Sequence, residues 1–167
     1  MAVIEAIATT YLEADAASVT FSSLGSYEHL QVRISQRSTR TSDSSLFLQF
    51  NGDTGANYSN HEMHGISTTA AATSNTGYNE IYLWNGPGTN TVAAGYCTKI
   101  VDILDYRNAN KNTTVTCMNG EPPTTGVWFT SGLWDSTAAV HTILIDRSGG
   151  SNWMRGSEFT LYGLNSA

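Results

Sequence analysis

Charge is scarce in this chain. Only 13% of its 167 residues are Asp, Glu, Lys or Arg, about half the share of an average soluble protein. Lys and Arg number eight and are scattered, with Arg33, Arg37 and Arg40 the one loose cluster. That is too few to track a phosphate backbone, so nucleic acid is excluded as the expected partner. No stretch approaches the ~20 apolar residues of a membrane span. The opening "MAVIEAIATTYLEAD" has neither the basic start nor the long apolar core of a signal peptide. The expectation is a protein made in a cytoplasm that stays soluble.

Helical periodicity is missing as well. Segments 58–65 and 133–138 have room for one helical turn each, and nothing longer shows a 3.6-residue stripe. Catalytic signatures are equally sparse. "HEMH" at 61–64 holds two histidines three apart, one short of the spacing a zinc-protease helix needs. It therefore reads as a solvated loop, with Asp53 upstream in a turn rather than in a metal site. "NGDTGANY" lacks the terminal glutamate and alternating acids of a calcium loop. Asp102 and Asp105 fall on opposite faces of one strand, no G-x-S-x-G elbow occurs, and "GPG" at 86–88 is no phosphate loop because no lysine follows it. An enzyme is not expected, nor a metal or cofactor.

What fills the chain is neutral and polar. Ser, Thr and Asn together supply 53 of 167 residues, and net charge is −6. Against this background, 40% hydrophobic content recurs with period 2. "EHLQVRIS" sets Leu30, Val32 and Ile34 inward, "SVTFSSL" Val19 and Phe21, and "LFLQFNGD" Leu46, Leu48 and Phe50. Ile103 belongs to "YCTKIVDILDY", and Phe159 and Leu161 to the closing "GSEFTLYGL". Asn-Gly and Gly-Gly breaks separate about ten such runs. The expected fold is all-β, an antiparallel β-sandwich of jelly-roll type, and residues 1–167 read as one domain. Residues 68–77, small and alanine-rich, read as an exposed loop.

The two cysteines can be placed by register. A hairpin turn at 106–112 sets position 103 opposite 115 and 101 opposite 117. Cys97 then lies four positions from the partner of Cys117, roughly 13 Å away along the strand. A disulfide needs Cα atoms within about 7 Å, so two buried free thiols are expected. A different register would change that.

Four tryptophans and eight tyrosines remain to be explained. Trp84 and Trp128 sit within strands and read as the second face of a covered sheet. Trp134 and Trp153 stand in loop-like contexts and are the candidates for contact with a partner protein or a glycan, since an aromatic face stacks on a sugar ring. At the front, "VIEAIATTYL" puts Val3, Ile7 and Tyr11 on one side and Ile4, Ala6, Ala8 and Leu12 on the other. Either a neighbouring subunit or another partner covers the second face, or the strand is central and buried on both.

The opening "IATTYLEADAASVTFSSLGSYEHLQVRI" resembles the start of a family of tailed-bacteriophage virion β-domains. "FNGDTGANYS", residues 101–106 with 110–112, "SGLWDSTAAVHTI" and "GSEFTLYGL" match its recurrent segments in order. The resemblance spans nearly the whole chain and implies a virion structural protein without catalytic residues. Compact size and the absence of a fibrous repeat favour a capsid decoration (cement) protein. It would be assembled in the host cytoplasm, bound to the major capsid protein on the outer head surface and trimeric. The alternative is a tail-tip or fibre-associated receptor- or glycan-binding protein, with a cellular lectin or hydrolase accessory module third.

Overall fold

The computed structural model describes residues 3–90, 94–121 and 126–166. Among these, twelve strands form two antiparallel sheets. They are β1 (Val3–Tyr11), β2 (Val19–Phe21), β3 (His29–Gln36), β4 (Ser44–Phe50), β5 (Tyr58–Ile66), β6 (Thr69–Tyr78), β7 (Ile81–Gly86), β8 (Cys97–Leu104), β9 (Thr113–Glu121), β10 (Gly126–Trp134), β11 (Ile143–Arg147) and β12 (Glu158–Asn165). The larger sheet runs β1-β12-β3-β8-β9-β10-β5-β6 and the smaller β2-β11-β4-β7. Their inner faces share one apolar core, the architecture that period-2 patterning demands when each sheet must bury one face.

All eleven residues assigned to the core from alternation are buried: Val19, Phe21, Leu30, Val32, Ile34, Leu46, Leu48, Phe50, Ile103, Phe159 and Leu161. Close approach of the sheets is set partly by Gly132 of β10. A Cβ there would stand 2.6 Å from the Ile81 side chain of β7, so any larger residue would push the smaller sheet away.

The β8–β9 register agrees with the sequence reading, with Val101 opposite Cys117 and Ile103 opposite Val115. Cys97 and Cys117 are free and buried. Burial pushes both thiols up, Cys117 to about 11. Because the thiolate is the reactive form, alkylation of the native protein should be slow, while unfolded, unreduced protein should titrate two thiols per chain. Prompt reaction of the native protein would contradict the burial.

Two expectations about local structure are corrected. Residues 68–77 are not a loop, because nearly all of them form β6, joined to β5 across the tight turn Ser67–Thr68. Segment 58–65 holds no helical turn, since it lies within β5. A third correction concerns β1. It is an edge strand paired only with β12, and a bulge between Ala6 and Ala8 breaks its alternation. Such an insertion swaps the two faces. Ile4 and Ala6 therefore share the outward face with Tyr162 and Leu164, whereas Ala8 and Thr10 stand beside inward-facing Leu161 and Phe159. The side chain of Val3 lies outside the described residues. A central strand buried on both faces is ruled out, as Ile4 and Tyr11 are each more than half exposed.

Candidate interaction surface

The usual hydrophobic-in, polar-out order is reversed at one end of the larger sheet. On the inward side, β5 carries Asn60 and Glu62, β9 carries Asn119 and Glu121, and β10 carries Thr130, all buried. On the outward side, the same strands carry Met63, Met118, Val127 and Phe129, which are 59%, 60%, 62% and 47% exposed. Period 2 dictates this consequence: once a strand turns its polar residues inward, the apolar ones must face solvent.

Register brings the outward side chains together. Met63, Phe129 and Met118 are direct cross-strand neighbours, with Ala72 of β6 beyond Met63 and Ile100 of β8 beyond Met118. One row away, Val127 stands between Gly65 and Gly120, with Ala70 beyond Gly65. A Cβ at Gly120 would meet nothing within 4 Å, and at Gly65 only Val127, at 3.9 Å. The small residues thus form the floor of an open depression of about 660 Å³, walled by the two methionines, Val127 and Phe129. The four large side chains together expose on the order of 400 Å², a size at which a patch on a monomer is commonly functional. Methionine suits such a surface because its unbranched, polarisable side chain adapts to a partner's shape.

The inward polar wedge contains a second arrangement. His64 Nδ1 lies 2.7 Å from Glu62 Oε1, and the His64 ring is tilted against Trp128 with centroids 6.2 Å apart. Burial raises the Glu62 pKa, opposed by His64. Lys99 of β8 donates to the Leu83 carbonyl at 3.0 Å. The Asn60 amide, Glu62 Oε2 and Glu121 Oε1 find no hydrogen-bond partner among the described residues. A buried acid and a histidine therefore stand side by side, with Thr130 directly opposite Glu62 on the neighbouring strand.

The residues singled out from sequence are distributed as follows. "HEMH" lies on a strand, where a spacing of three puts His61 and His64 on opposite faces. It is not a solvated loop, since Glu62 is buried. No group of three or more metal-ligating side chains occurs among the described residues. Outward on a neighbouring row, Ser74, His61, Ser131, Thr116 and Asp102 follow one another across five strands. Asp102 is three strand spacings from His61, about 14 Å, and instead accepts a 2.8 Å hydrogen bond from Gln31 Nε2. Along this row no serine–histidine–acid relay forms. Asp53 accepts from the Trp134 indole at 2.8 Å, from Asn57 at 2.9 Å and from the Gly55 amide at 2.8 Å, which hold its carboxyl below the usual range.

Trp134 and Trp153 are corrected as surface contacts. Trp134 ends β10, 2% exposed and packed with Phe50 and Tyr58, and Trp153 is 0% exposed. Neither ring can meet a partner or a sugar. Sequence reasoning missed the patch that is exposed. The signal available was the pair of polar residues, Asn60 and Glu62, alternating with Met63 in a segment flanked by strands.

The chain matches no family model, and no curated protein or solved structure was found to match it.

Proposed function

We propose that this chain is a bacteriophage virion structural protein without catalytic function, a capsid decoration (cement) protein bound to the major capsid protein on the outer head surface as a homotrimer. The observation that carries the reading is the apolar patch of Met63, Met118, Val127 and Phe129, exposed on the outer face of the larger sheet. A broad strand-built surface with adaptable side chains fits a protein partner better than a small-molecule substrate, which calls for an enclosed cleft with convergent polar groups. The segments that resemble phage virion β-domains support the same reading. Edge strand β1, with Ile4 and Tyr11 outward, offers a surface for contact within the trimer. Repetition around a shell supplies the energetics. Each contact can be modest because one subunit bridges several neighbours, and the linked contacts reinforce one another.

The test is attachment to capsids that lack the protein, read by co-sedimentation. Wild-type protein should bind in hundreds of copies per particle. Met118→Glu with Phe129→Glu should weaken binding by at least about thirtyfold, as when a hot-spot side chain is lost. Its melting temperature should stay near wild type, because both side chains are already exposed. Unchanged attachment of the double variant would rule out this patch, and a few copies per virion would move the protein to the tail.

A further inference from the structure

Strand β6 has ten residues, Thr69–Tyr78, at the end of the larger sheet, bonded to β5 on one side only. Almost every residue in it is exposed, on both faces. β6 thus projects beyond the cover of the smaller sheet. Natural edges of this length are normally blunted by charge, proline or a covering loop, because their unpaired N–H and C=O groups template another strand. The β6 sequence, TAAATSNTGY, has no charged residue and no proline. Its side chains from Ala70 to Ser74 are small, so a second backbone can come to strand spacing without a clash.

We propose that β6 is a self-pairing edge: a second copy of this chain adds its own β6 antiparallel across a two-fold axis, joining two eight-stranded sheets into one. Three observations select a second copy as the occupant. Antiparallel pairing of one strand with itself is self-complementary, as a two-fold contact requires. Charge points the same way. Near a two-fold axis each charged group meets its own copy, and although the chain carries −6 overall, β6 and the adjoining patch of Met63, Met118, Val127 and Phe129 carry none. Area supplies the third argument. The patch alone, on the order of 400 Å², falls short of the ~800 Å² per partner of a stable interface. Pairing in the plane of the sheet sets the patches of two copies side by side on one outward face, about 800 Å² together for a partner to cover, with Ala70 and Ala72 of each copy between them. The contact lies at the opposite end of the sheet from β1, so it is separable from the proposed trimer and does not depend on head or tail location.

Single-cysteine variants read the contact directly, because the two native thiols are buried. Ala70→Cys through Asn75→Cys, one at a time, would be treated with a short bis-maleimide and run on a denaturing gel, with Glu13→Cys as the exposed control. Across a two-fold axis, like residues separate by about 6.6 Å for each position away from the axis. A dimer band should therefore peak at one or two positions and fall away on both sides, and Thr73→Lys should reduce the native mass of untreated protein. No band at any β6 position, or a band equal to that of Glu13→Cys, would overturn the proposal. Cross-links formed only to a different polypeptide in assembled particles would overturn it too, in favour of an added strand from that partner.

Discussion

Trp153→Ala should lower the stability of the folded chain by about 3–5 kcal/mol, the range for removing a large buried aromatic. For a domain of this size that is a fall in melting temperature of roughly 6–20 °C. The residue sits outside any long strand yet ties three segments together. Its amide donates to the Ala16 carbonyl at 2.7 Å, its carbonyl accepts from the Ala16 amide at 3.1 Å, and it also bridges to Ser38. The ring meets Phe159 edge-on at 5.2 Å and lies 4.6 Å under the Arg147 guanidinium. Arg147 is itself buried, and desolvation draws its pKa down to about 10. Alanine would open a cavity and strip a buried cation of the ring that partly replaces its water. Trp153→Phe keeps a ring at the site and should cost less than half as much. Thermal or urea unfolding of the three proteins measures the series, and a loss below about 1 kcal/mol for alanine would show that the segment is not part of the core.

Stability should also fall as pH rises from about 4.5 to 7, the reverse of acid denaturation. Glu121 closes β9 on the inward face, and burial, reinforced by the charge of Asp43 and opposed by Lys99, pushes its pKa up from 4.5 to about 7. Glu62 is raised as well, again chiefly by burial. For Glu121 the folded protein holds a proton that the unfolded chain releases between the two pKa values. The native state therefore binds more protons in that window, and its stability declines with pH until the folded group also ionises. A shift of this size corresponds to about 3 kcal/mol. Asp53 acts in the opposite sense at lower pH, because its depressed pKa contributes stability that is lost on acidification. The two trends place the maximum below the window in which the folded Glu121 titrates. Glu121→Gln should flatten most of the slope above the maximum and melt higher than wild type at pH 8. A wild-type melting temperature that is level or rising from pH 5 to 7 would contradict the burial of an ionisable Glu121.

Much of the architecture was legible because alternation is a local property. Leu30, Val32 and Ile34 announce their strand in any context, and the β8–β9 hairpin register followed from the turn between two alternating runs. β6 was not legible, and its failure has a physical cause. A strand exposed on both faces buries nothing, so TAAATSNTGY carries no period-2 signal and looks like a loop. In β1 the faces were misassigned because the bulge between Ala6 and Ala8 is fixed by pairing with β12, not by β1's own residues. The tryptophans failed for a third reason. Trp153 has few strand neighbours in sequence, and its burial comes from residues 16, 38, 147 and 159, all distant along the chain except Arg147 and Phe159.

The candidate surface divides along the same line. Residue order alone establishes that Met63 and Glu62 point opposite ways, as do Trp128 and Phe129, because neighbours on a strand must. Which of each pair is covered is not a property of the strand. In β3 and β12 the second sheet covers the apolar face, while in β5, β9 and β10 it lies over Asn60, Glu62, Asn119, Glu121 and Thr130 and leaves Met63, Met118, Val127 and Phe129 in water. An alternating pattern specifies two faces and their difference, and burial depends on what is stacked against each, which residues far apart in the chain supply.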